Sequence, residues 1–161
     1  MRTRIIGVGN IDRGDDAAGL LVARRLREAG FDATEQSGEA SALMDAWRDA
    51  DRVILVDAVV TGADPGQVFV WDASSQRLSR EAFRCSTHSF GVADAVELGR
   101  ILDRLPPSLW VYGIEGSCFE VGAAISPKIA EAVDRVAGEI AEARTHERES
   151  TDLHAPLRRI P

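Results

Sequence analysis

Apolar and polar positions alternate along this chain in blocks that read as short buried strands between amphipathic helices. Residues 4–8 (RIIGV) are a short buried-strand candidate. Residues 17–29 then place Ala18, Leu21, Val22 and Leu26 at helical spacing, and Gly30 stands where a helix end favours positive φ. Residues 32–36 are a weaker strand and residues 41–47 a short helix. Residues 52–56 (RVILV), β-branched and uninterrupted, are the strongest strand in the chain. The Asp64-Pro65-Gly66 turn leads into a further strand at residues 67–71. Residues 90–102 predict a helix, with Val92, Val96, Gly99 and Leu102 on one stripe, and Pro106-Pro107 breaks the chain after it. A strand at residues 109–114 follows. Ser126-Pro127, a capping residue before a proline, opens a last helix whose core stripe is Ile129, Val133, Val136 and Ile140.

Strands alternating with helices predict an α/β fold, a three-layer α/β/α sandwich around a twisted, mostly parallel sheet of about five strands. The chain has 161 residues, the usual size of one domain. Residues 1–143 are expected to form it. Residues 144–161 are polar, lack an apolar period and read as a mobile tail whose removal leaves the fold intact.

The net charge of −7 and the absence of a basic run argue against nucleic acid and against an anionic membrane surface. No apolar run approaches the length of a membrane span, and the apolar N-terminal stretch is too short for a signal-peptide core. Cys85 and Cys118 are not in a C-x-x-C pair. A cytoplasmic protein with reduced thiols is the expectation.

In open α/β sheets, sites form at the carboxyl ends of strands. Three polar spots fall there: Asp15-Asp16 after the first strand, Asp57 directly after RVILV, and His88 just before the helix at Phe90. Two carboxylates and an imidazole suit a divalent first-row ion and leave positions open for water or a substrate group. A helix N-terminus favours the neutral imidazole, which is the form that binds a metal. Each spot also has a simpler reading. The acids could favour a helix dipole, and His88 could be a cap or a surface residue. Gly7-x-Gly9 resembles a phosphate loop, but Asp12 stands where the third glycine belongs, and acids at the helix start repel phosphate.

Taken in order, the motifs resemble those of the hydrogenase maturation proteases. These are Gly7-Val8-Gly9-Asn10 with Asp15-Asp16 and Gly19; Val56-Asp57-Ala58; Thr87-His88 with Gly91, Ala93 and Asp94; and Gly113-Ile114-Glu115-Gly116 with Phe119, Gly122 and Ser126-Pro127. The resemblance implies that Asp16, Asp57 and His88 contact a metal and carry catalysis. It implies an endopeptidase, in a family sometimes grouped with aspartic-type peptidases, that removes the C-terminal extension of a nickel-loaded nickel-iron hydrogenase large-subunit precursor. It also implies that the nickel arrives with that precursor and that the protease has no permanent cofactor. A monomer is the expectation. Many members carry glutamate where this chain has Asp16, so here the backbone must approach the ion more closely. Two other functions stay open at this point: a non-proteolytic module that senses the metallated partner, and a small-molecule hydrolase or nucleotide-binding protein on a similar sheet.

Overall fold

The computed structural model describes residues 1–84 and 90–149. In chain order its elements are β1 (Thr3–Val8), a 3-10 turn (Gly14–Ala17), α1 (Ala18–Glu28), β2 (Ala33–Gln36), α2 (Ala40–Ala46), β3 (Arg52–Val59), β4 (Val68–Asp72), α3 (Val92–Ile101), β5 (Ser108–Glu115) and α4 (Pro127–Glu149). The strands form one sheet in the order β2-β1-β3-β5-β4. All neighbours are parallel except β4, which runs antiparallel to β5. The expected mostly parallel α/β architecture is therefore present, as a mixed sheet with one antiparallel edge.

The period-two alternation of the strands feeds two cores. Ile6, Val8, Val53, Leu55, Leu109 and Val111 pack with Leu43, Met44 and Trp47 at α2 and with Val92, Ala95 and Val96 from α3. The opposite face, with Ile5, Ile54, Val56, Tyr112 and Ile114, packs against α1 and against Ile129, Val133, Val136 and Ile140 of α4. Every residue of β3 is buried, as its uninterrupted apolar run predicts. Trp47 is fully enclosed and donates its indole N–H to the Arg104 carbonyl at 2.8 Å, so its one polar side-chain atom is satisfied inside the core.

Two boundaries differ by more than two residues from those read off the sequence. The first is at β3, which does not stop before Asp57. Pairing with β5 continues through Asp57↔Gly113 to Val59↔Glu115 and carries the polar residue inside the strand. The second is at α4, which runs past Ala143 to Glu149, so the expected boundary between residues 143 and 144 falls within a helix. Arg144 is buried there, and Glu147 joins it to Arg52 at the start of β3. Ion pairing, not an apolar stripe, holds this last stretch of helix. The rest of the expected tail, residues 150–161, lies outside the described residues.

Strand order places a topological switch between β1 and β3. From β1 the chain passes through α1 on one face to β2, and it reaches β3 through α2 on the other. β1 and β3 pair only as far as Gly7↔Val56, so a crevice opens between their carboxyl ends.

Candidate active site

Asp57 is the first residue of β3 beyond that last β1 pair. The strand's alternation turns its side chain toward the face shared by Val53, Leu55 and Val59, the side covered by α2 and α3. Asp57 is only 2% exposed. Its Oδ1 accepts the Ala58 N–H at 2.9 Å, and its Oδ2 is buried with no hydrogen-bond partner among the described residues. Burial pushes the Asp57 carboxyl well above the usual carboxylate range, and the negative charge of Asp16 pushes it further; the Ala58 N–H offsets only part of this.

Asp16 comes from the loop that follows β1. That loop can turn sharply because Gly9 has φ of +154°, and a Cβ there would meet the Asp16 carbonyl oxygen at 1.9 Å. Gly19 brings the start of α1 down onto the strand ends, since a Cβ at this position would lie 2.2 Å from the Val56 carbonyl oxygen and 2.5 Å from that of Val8. Asp16 is 2% exposed, and Arg13 Nη1 lies 3.6 Å from its Oδ2. Asp16 therefore lies close enough to Asp57, near the switch point, for its charge to act on the Asp57 carboxyl. His88, the third expected ligand, lies outside the described residues, as does Cys85. Among the described residues no group of three or more His, Cys, Asp or Glu side chains could hold a metal ion.

The donor set still fits a cation. A buried carboxylate oxygen with no donor, beside a second carboxylate, is stabilised by a proton or by a positive ion. The Asp57 carboxyl can therefore hold a proton, or offer an oxygen to a positive ion.

Asp15, the residue before Asp16, has the opposite surroundings. Its Oδ2 accepts the backbone N–H of Ser117 at 2.8 Å and of Cys118 at 2.9 Å, and its Oδ1 accepts that of Ser126 at 2.8 Å. The hydroxyls of Ser117 and Ser126 add bonds to Oδ2 at 3.2 and 3.0 Å. Burial alone would raise this carboxyl, but the donors from Ser126, Ser117 and Cys118 together hold it below the usual range. Glu115, buried at the end of β5, accepts the N–H groups of Thr61 and Gly62 and the Thr61 hydroxyl, which fixes the turn after β3. Asp94 accepts the Gly91 N–H at 3.2 Å and closes the start of α3. Sequence pattern does not reveal these bonds of Asp15, Glu115 and Asp94, although all three stand inside the family-like motifs.

The fold and its paired acids define an open α/β sheet with a carboxylate site at the switch point. A family model described as HycI, hydrogenase maturation protease, matches residues 36–143. The chain belongs to the hydrogenase maturation protease family. It is similar to the NiFe hydrogenase maturation protease HybD from Thermococcus kodakarensis, with 27% identity, a TM-score of 0.69, and 89% of this chain and 99% of that one covered. An endopeptidase from Escherichia coli shares the fold with a TM-score of 0.76 at 22% identity, covering 94% of each chain. Protein FrxA of Pyrococcus furiosus is 29% identical over 85 residues, which is 53% of this chain and 61% of FrxA. Among the described residues no helix is long and apolar enough to cross a membrane.

Proposed function

We propose that this protein is the endopeptidase that removes the C-terminal extension of a nickel-loaded hydrogenase large-subunit precursor. Family membership supports the reaction class, and the buried Asp57 Oδ2, without a partner among the described residues and under the charge of Asp16, is the observation that supports the site. The nickel is part of the substrate. Asp16, Asp57 and His88 are the residues proposed to meet it, two as oxygen ligands and one as a neutral nitrogen ligand.

In this reading a water oxygen bonds to the scissile carbonyl carbon, and the water gives up a proton to a site carboxylate. The C–N bond then breaks and that proton passes to the departing amine. Asp15 is a poor proton acceptor, because its lone pairs are already taken by the loop after β5. Asp16 and Asp57 are the better candidates. No permanent cofactor is needed.

The test is to mix purified protein with metallated precursor and follow loss of the C-terminal extension by mass spectrometry. His88→Ala, folded by circular dichroism, is expected to abolish cleavage. Wild-type cleavage by this variant would remove His88 from the site. The isolated protein is also expected to bind nickel weakly, since two carboxylates and one imidazole give little selectivity without ligands from the substrate. A tight stoichiometric site by calorimetry would contradict a substrate-borne metal.

A further inference from the structure

The carboxylate of Asp15 bridges two loops that are distant in sequence. It draws donors from Ser117, Cys118 and Ser126, none of them in its own helix. The 3-10 turn and α1 show no side-chain cap, so Asp15 does not serve the helix start as an ordinary cap. Backbone bonds run alongside the carboxylate: Asp15 N–H to the Cys118 carbonyl at 2.8 Å, Gly14 N–H to that of Ala123 at 3.2 Å, and Gly122 N–H to that of Asp12 at 2.7 Å. A Cβ at Gly14 would lie 2.5 Å from the Cys118 carbonyl oxygen, so the two loops are in close contact. Asp16 is the next residue, and its own N–H is held by the Arg13 carbonyl at 3.0 Å.

We infer that Asp15 is a positioning residue: by pinning the loop after β1 to the loop between β5 and α4, it fixes where Asp16 stands relative to Asp57. This rests on the proposed protease reading, in which Asp16 meets the substrate. Catalytic groups displaced by about 1 Å can lose on the order of 100-fold in rate.

The experiment compares wild type, Asp15→Asn and Ile140→Val, a core substitution in α4 remote from the site, all assayed well below their melting temperatures. Asp15→Asn is expected to lower kcat on the metallated precursor by on the order of 100-fold with little change in KM. Ile140→Val is expected to lose thermal stability and keep its kcat. Hydrogen exchange read by mass spectrometry is expected to speed up in Asp15→Asn over both residues 9–17 and residues 116–126. Wild-type kcat in Asp15→Asn, or faster exchange confined to residues 116–126, would overturn the inference. If the wild-type protein fails to process the precursor, the protease reading falls, and the exchange pattern still decides whether Asp15 couples the two loops.

Discussion

The two ends of β3 bury charge in opposite ways. At its start Arg52, 8% exposed, meets Glu147 of α4, which also pairs with Arg144. Near its other end Asp57, 2% exposed, feels the like charge of Asp16, and its Oδ2 has no donor among the described residues. One end of the strand uses its charge to hold a helix. The other keeps a carboxylate oxygen available at a cost in stability. Strain of this kind is common where a protein binds or reacts, and stable variants of such sites often lose function.

Removing residues after Ala143 gives the largest expected effect on this contrast. The truncation deletes Glu147 and leaves Arg52 without its partner, at a cost of about 3 to 5 kcal/mol. Thermal denaturation checks it. An unchanged melting temperature would mean that the amino-end ion pairs contribute nothing, which is the outcome the sequence pattern alone suggests.

Glu115→Ala is next. It strips three donors from Thr61 and Gly62 of their acceptor and is expected to cost about 2 kcal/mol in chemical denaturation. A neutral result would show that the carboxyl edge does not depend on this satisfied acid.

Asp57→Asn has the smallest expected effect on stability and the opposite sign, a gain of about 1 kcal/mol near neutral pH. Burial and Asp16 raise the folded carboxyl above its unfolded value. The folded state therefore binds more protons than the unfolded state between those two values, and wild-type stability falls as pH rises through that window. Below the ordinary aspartate range the carboxyl is protonated in both states, and wild type and variant should converge. Melting temperatures across pH check this; a variant less stable than wild type at neutral pH would contradict it.

Much of this architecture is legible in the sequence, for physical reasons that can be named. The strands β1, β3 and β5 are apolar runs, and burial on both faces requires such runs. Asp16 and Asp57 stand out in the sequence because each follows an apolar run, where polar residues in such sheets approach a switch point. The end of β3 is not, because hydrophobic patterning stops at Asp57 while hydrogen bonding to β5 continues to Val59. The end of α4 escapes notice because ion pairs leave no apolar period. The clamp on Asp15 stays hidden because three of its donors are backbone N–H groups, which almost any residue supplies.

Cleavage of the nickel-loaded precursor by wild type and by Asp57→Asn, followed by mass spectrometry of the large subunit, tests the role of the Asp57 carboxylate. Wild type is expected to release the C-terminal extension and the folded variant to cleave at least about 100-fold more slowly, since it loses a carboxylate that general acid–base chemistry or metal contact requires. Cleavage by Asp57→Asn at the wild-type rate would contradict that role.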